Sequence, residues 1–504
     1  MSGRANFGAA LWAAAQPHPD RTFLIDDQRV WTYGEFFATV RRFAGALQAA
    51  GANPGDRVTV HVEKSPEAVA LYVACLWAGT VHVPLNPRFT NVELEYYVND
   101  ADPRVVVTAE PTGPPPDQTR LMAERSRHWL TLQADGTGSF TELAKTARIL
   151  DAPVERDDND LAAILYTSGT TGKPKGAALS HRSLGQNAEA LHQTWQFDEH
   201  DQLVHVLPIF HVHGLFVALH TAMLSAIPVR FHRSFDPERT ITDFATSTVF
   251  MGVPTHYKRL SDSPALTPAA CAPMRLFTSG SAPLSKTEFV RFSDRSGHQI
   301  CERYGMSETG ITLSNPYRGD RQPGTVGFPL AGVEAMIVDE AHREVERTTV
   351  GVVAIRSDQT MLEYWGRPDE TAASFFGDRW FLTGDVGWMD AQGRVTLQGR
   401  ASDMIISGGE NVYPKEIEMV LDQIEGVVES AVIAIADQDL GEQVVAVLVC
   451  DGKPLTLTDL QPVLQENLAR FKHPRQVFCV PELPRNAMGK VQKNQLRDRY
   501  QSVR

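Results

Sequence analysis

The run Tyr166-Thr167-Ser168-Gly169-Thr170-Thr171-Gly172-Lys173-Pro174-Lys175-Gly176 sets hydroxyls beside glycines and ends with two lysines. Glycine lets backbone N–H groups come close to a ligand, and amide, hydroxyl and ammonium donors together suit a chain of phosphates. A solvated surface loop has much the same composition, but the lysines and the tight apolar flanks favour phosphate. Spacing excludes the loop of the P-loop NTPases. That loop needs lysine followed by serine or threonine and then a helix, whereas Lys173 precedes Pro174. Further on, Leu207-Pro208-Ile209-Phe210-His211-Val212-His213 carries two histidines two apart, which on a strand would face one side. A packed pair and a metal site are both open readings, although no third ligand stands at motif spacing.

The elements that must position these groups follow from periodicity. Apolar runs at 161–165 and 177–179 bracket the loop and predict strand, loop, strand. Upstream, 57–62 alternates as a strand, 66–77 reads as a helix and 80–84 as a second strand. This βαβ pattern implies a parallel sheet with helices on its faces. A helix at 91–100 and a strand at 105–108 continue it, and 110–160 is rich enough in Pro, Gly and charge to predict surface connections. An apolar strand ending at Gly252 and Pro254 leads into a helix, with Arg259 expected early in it. Arg259 reads either as a surface arginine or as a counter-ion inside a pocket.

At 504 residues the chain is too long for one core, so at least two domains are expected. A net charge of −13 with no long basic run argues against nucleic acid, so any anionic substrate must be held by local lysines and arginines. Cys75, Cys271, Cys301, Cys450 and Cys479 never pair as Cys-x-x-Cys; reduced thiols and a cytoplasmic location are expected. The apolar patch at 9–15 predicts a first helix rather than a signal peptide. The longest apolar stretch, 68–85, is interrupted by Gly79, His82 and Pro84, so no membrane span is expected.

The loop from Tyr166 to Gly176 resembles the signature of the acyl-adenylate-forming enzymes, which include acyl- and aryl-CoA synthetases and peptide-synthetase adenylation domains. Matching segments follow in order through nearly the whole chain: Thr278-Ser279-Gly280-Ser281-Ala282-Pro283, Tyr304-Gly305-Met306-Ser307-Glu308-Thr309, Trp380-Phe381-Leu382-Thr383-Gly384-Asp385, Gly399-Arg400 and Gly489-Lys490. The resemblance implies an α/β fold, with a large N-terminal adenylate-forming domain of βαβ-layered sheets (1–400), a hinge (401–403) and a small mobile α+β C-terminal lid (404–504). It also implies roles. The loop residues Thr167, Ser168, Gly169, Thr170, Thr171, Gly172, Lys173 and Lys175 bind ATP phosphates. Gly280, Ser281 and Ala282 lie against adenosine and acyl group, and the Tyr304 ring stacks on adenine. Asp385 accepts from the ribose and Arg400 pairs with ribose or phosphate. Thr309 donates to the α-phosphate, Glu308 holds Mg²⁺, and Lys490 is the catalytic lysine of adenylation. Ser402 is the expected pivot, and Gly408 and Gly409 line the coenzyme A tunnel.

For the acid, the segment from Phe250 to Leu260 is similar to that of malonyl-CoA synthetases, where an arginine at the place of Arg259 binds the far carboxylate. His211 and His213 then border the acyl pocket, and burial of an unpaired Arg259 would favour a dicarboxylate. Arg275 is a less specific candidate. One departure stands out: Ile311, Thr312 and Leu313 occupy the place where malonyl-CoA synthetases often carry Met-Asn-Thr. The expectation is therefore an ATP-dependent acid–CoA ligase for malonate or methylmalonate, acting through an acyl-adenylate. Alternatives are a short- or medium-chain or aromatic acyl-CoA synthetase, and an adenylation enzyme that loads a carrier protein.

Overall fold

Helix Pro66–Ala78 shows how local signals set the frame. Ser65 caps it by accepting from the Ala68 amide at 3.1 Å, Pro66 occupies its first turn, and Gly79 ends it at a φ of 73°. Apart from Glu67 in its first turn it is buried along its length, as a largely apolar helix is when both faces meet protein. Its flanking strands, Arg57–His61 and Val81–Pro84, pair in parallel, so the expected βαβ unit is present. The computed structural model describes residues 6–109, 128–167, 174–407, 410–437, 440–486 and 489–501.

Two large sheets pack around one core. A seven-stranded sheet contains that βαβ unit and, at one side, the antiparallel hairpin Leu161–Thr167 with Lys175–Ser180. Thr167 pairs with Lys175 at the open end of the hairpin, so the ladder runs to the edge of the glycine-rich segment. The second, nine-stranded sheet holds the parallel strands Leu203–His205, Val249–Gly252, Leu276–Ser279 and Cys301–Met306 as neighbours. Their carboxyl ends bring His205, Gly252, Ser279 and the 303–306 segment to one rim, where parallel α/β sheets place ligands. A five-stranded sheet adds the antiparallel pair Trp380–Met389 and Val395–Arg400, with Asp385 directly opposite Arg400.

Residues 405–500 build a separate sheet and helices around their own two apolar clusters. Between the two parts, Ala401–Asp403 forms a single 3₁₀ turn in which Ser402 is exposed, and Asp403 pairs with Arg497 at 3.0 Å. All five cysteines are free thiols, and no described helix is long and apolar enough to cross a membrane.

Candidate active site

The rim of the large part meets the last loop of the small part. That loop is a tight turn: the Asn486 side chain accepts from the Lys490 amide at 3.0 Å, and the backbones of Asn486 and Lys490 bond at 2.9 Å. It reaches the large part at Thr255, whose Oγ1 would lie 3.2 Å from a Cβ placed on Gly489. Lys490 is exposed as a residue, yet protein crowds its ammonium. Burial foremost, then Arg400 and Arg303, depress its pKa, while Asp385 and Glu308 oppose the shift. The charges that bear on this nitrogen are those of Arg400, Asp385, Glu308 and Arg303, and Asp385 and Arg400 pair directly.

Each acidic group in the cleft is held by a neighbour. The Tyr304 hydroxyl donates to Asp385 Oδ2, and Arg400 Nε donates to Oδ1 at 2.8 Å. Glu308 accepts from the Tyr364 hydroxyl at 2.9 Å, and its backbone carbonyl accepts from Met361 at 2.7 Å. Thr309 is fully buried and its carbonyl takes a 2.9 Å bond from Gln359. Tyr364 itself pairs with Ala177 in the signature hairpin, and its ring lies 5.2 Å from the Lys175 ammonium. Lys175 also pairs with Glu370. The segment 359–365 therefore locks Glu308 and Thr309 to the base of the glycine-rich loop. The expected phosphate ligands Ser168, Gly169, Thr170, Thr171, Gly172 and Lys173, and the tunnel glycines Gly408 and Gly409, lie outside the described residues.

The other end of the cleft is a pocket of histidines and arginines. His211 and His213 do not share a strand. The strand ends at His205, and His213 opens a six-residue π-helix, His213–Ala218, because Pro208 and the turn after it break the ladder. Both rings nonetheless point inward, each with a buried Nε2 that has no partner. Burial and then the Lys490 charge push His211 down to about 3, and burial with Arg303 holds His213 well below the usual range. Both are neutral donors or acceptors at physiological pH. Ser281 Oγ sits 3.4 Å from His213 Nδ1 on a backbone with φ of 69°, strain typical of a site residue.

Arg303, unassigned at the sequence level, dominates this pocket. It is 3% exposed, its Nε and Nη2 have no hydrogen-bond partner, and burial lowers its pKa to about 9. Its guanidinium lies close against Gly280, since a Cβ there would come within 2.4 Å of Nη1. Gly280 is thus required for close approach, and Ala282 follows half-buried. The sequence carried a signal: Glu302 and Arg303 are consecutive charges inside a strand, Cys301–Met306, whose first four residues are buried.

Arg259 corrects two expectations. It lies in the last turn of helix Pro254–Asp262, not early in it, and it is exposed, so it bears no burial cost. Its guanidinium sits 4.9 Å from the Phe235 ring, which stacks on His256 at 4.2 Å. Arg275 is occupied elsewhere, bridging Asp201 and the Trp195 carbonyl.

Glu302 is 6% exposed, with one oxygen accepting from the Leu284 amide at 3.2 Å and the other unpartnered. Burial raises its pKa to about 7, against the Leu284 amide and the Lys415 charge. A carboxyl whose folded pKa exceeds its unfolded value near 4.5 contributes stability below pH 4.5 that is lost as pH rises through 7. Above pH 7 the penalty is about 3 kcal/mol. Glu302→Gln is expected to raise unfolding stability at pH 8 by up to that amount and to change it little at pH 4.5. Denaturation at both pH values checks it, and an equal effect at both would contradict it.

Comparison with known proteins gives matches to both parts of the chain. The family described as "AMP-binding enzyme" matches residues 11–365, and "AMP-binding enzyme C-terminal domain" matches residues 416–490. A malonate–CoA ligase from Arabidopsis thaliana is 32% identical over 97% of this chain and 88% of its own. A long-chain-fatty-acid–CoA ligase from Bacillus subtilis is 30% identical over 96% of this chain and 93% of its own. Among solved structures, ATP-bound MatB from Rhodopseudomonas palustris is 43% identical, with 99% of both chains covered and a TM-score of 0.95. Apo MatB from the same organism, at the same identity and coverage, gives 0.85.

Proposed function

Because the chain belongs to the AMP-binding enzyme family, we propose that it joins a malonate-like dicarboxylic acid to coenzyme A, cleaving ATP to AMP and pyrophosphate through an acyl-adenylate. The observation that carries the choice of acid is the buried, unpaired Arg303. An uncompensated charge inside a protein costs several kcal/mol. An acid with a second carboxylate supplies the missing anion, whereas a plain fatty acid leaves the guanidinium stranded. Arg259, solvated at the Phe235 ring, assists from outside, and neutral His211 and His213 give hydrogen bonds without adding charge. The malonate–CoA ligase relative supports the same acid.

In the first step a carboxylate oxygen attacks the α-phosphate, and pyrophosphate leaves. Two anions meet and charge gathers on the phosphorus oxygens, so fixed donors carry the catalysis. Lys490 and Thr309 serve there, with Thr167, Lys175 and the rest of the signature loop holding the phosphates. Asp385, held by Tyr304 and Arg400, retains lone pairs for the ribose hydroxyls. Glu308 keeps its second oxygen free of any protein bond shown, and one carboxylate plus substrate phosphates is a set that Mg²⁺ accepts; the ion would supply charge neutralisation of the phosphates.

In the second step the thiol of coenzyme A attacks the acyl carbon and AMP leaves. Lys490 is not needed then, and rotation of the small part about residues 401–403 removes it, with Ser402 as pivot and Gly408 and Gly409 lining the thiol's path. The test is thioester formation from malonate, methylmalonate, succinate, propionate and hexanoate. Malonate or methylmalonate should lead, with one AMP and one pyrophosphate per thioester. Equal turnover of all five acids would remove the case for a dicarboxylate.

A further inference from the structure

Lys64 is a buried cation that the two steps above do not use. It follows strand Arg57–His61 and precedes the cap Ser65, and it is 8% exposed. Its Nζ lies 2.8 Å from His205 Nδ1, 3.2 Å from the His205 carbonyl and 4.5 Å from the Phe231 ring centre. The tautomer follows from the partners. His205 Nε2 lies 2.9 Å from the Gly214 carbonyl, an acceptor only, so Nε2 carries the proton and Nδ1 accepts from Lys64. No carboxylate among the described residues pairs with Lys64, with Arg303 or with Arg259. Buried lysines almost always have such a partner.

His205 ties Lys64 to the turn that carries His213, through its 2.9 Å bond to the Gly214 carbonyl. Lys64 and Arg259 both act on His256, Arg303 acts on His213, and His205 couples to both Lys64 and His213. Lys64 is seated against the strands Leu203–His205 and Val229–Phe231 through His205 and the Phe231 ring. Burial holds its proton affinity well below the ordinary lysine value, and a carboxylate bound nearby would raise it again.

We infer that Lys64 is a specificity-determining residue whose buried positive charge, seated on His205 behind the acyl pocket, favours an acid with a second carboxylate. The inference rests on the proposed dicarboxylate substrate. It adds a group that touches no substrate and acts through space.

The experiment compares kcat/KM for malonate and propionate in the unmutated enzyme, Lys64→Gln, Lys64→Met and Lys64→Arg. Glutamine keeps an N–H for His205 and removes the charge; arginine keeps the charge. A charge several ångströms away in a partly polar interior changes binding of an anion by about tenfold or more. Lys64→Gln and Lys64→Met should therefore lower the malonate-to-propionate ratio about tenfold, through the KM for malonate. The KM for ATP should stay within about twofold, and Lys64→Arg should keep most of the ratio. Parallel loss with both acids, or an unchanged ratio in Lys64→Gln, overturns the inference while leaving the dicarboxylate reading intact. An unmutated enzyme with no preference for malonate would instead defeat that reading itself.

Discussion

Replacing Lys490 by alanine should lower malonyl-adenylate formation by roughly 10²–10³-fold, the loss seen when one preorganised donor to a charged transition state is removed. The same variant should convert supplied malonyl-adenylate and coenzyme A to thioester at a rate within a few-fold of the unmutated enzyme. The asymmetry follows from where Lys490 stands. Its turn is fixed by Asn486 and touches the large part at Thr255, and the charges of Arg400, Asp385 and Glu308 bear on its ammonium. On the proposed mechanism, charge developing on the α-phosphate falls beside this ammonium. Nothing in the attack of a thiol on the acyl carbon calls for this cation, and the proposed rotation about residues 401–403 takes it away. Rapid-quench measurement of each half-reaction checks the expectation. Equal loss in both, in a folded protein, would contradict it.

Arg303→Met should lower kcat/KM for malonate by about 10²–10³-fold while leaving the unliganded protein as stable as before, or more so. The activity loss corresponds to stranding the second carboxylate without a partner, a cost of about 3–5 kcal/mol. Stability moves the other way because Nε and Nη2 have no partner in the unliganded protein, and a methionine of similar length ends that penalty while filling the space against Gly280. A misfolded variant would lose both, so thermal unfolding beside steady-state kinetics separates the cases. Arg259→Ala should have a smaller effect, since its guanidinium is already solvated. If Arg259→Ala cost more than Arg303→Met, the assignment of the principal counter-ion would be reversed.

Much of the frame was legible from the residues. The βαβ unit at 57–84 appears with parallel pairing because Ser65, Pro66 and Gly79 punctuate it unambiguously. The signature segment stands on an antiparallel hairpin because its apolar flanks are short and tight. The acyl pocket was less legible. His211 and His213 suggested a strand by their spacing, but tertiary packing of the Pro208 turn and the π-helix overrides that local pattern. Arg259 drew attention by resemblance, yet helix geometry leaves it at the surface. Arg303 and Lys64 were passed over because burial of a charge depends on strands distant in sequence, such as Leu276–Ser279 above Arg303 and Leu203–His205 beside Lys64. Ser281 gave no hint of its left-handed backbone, since serine shows no preference for it.

The central claim is that an acid bearing a second carboxylate is the substrate because it alone neutralises the buried cations of the acyl pocket. The ratio of kcat/KM for malonate to that for butyrate, measured on the unmutated enzyme with saturating ATP and coenzyme A, tests it most directly. Sites built around a polar partner reject analogues lacking it by up to roughly 10⁴-fold, so a ratio of at least about 10² is expected. A ratio near one, or in favour of butyrate, would contradict the account.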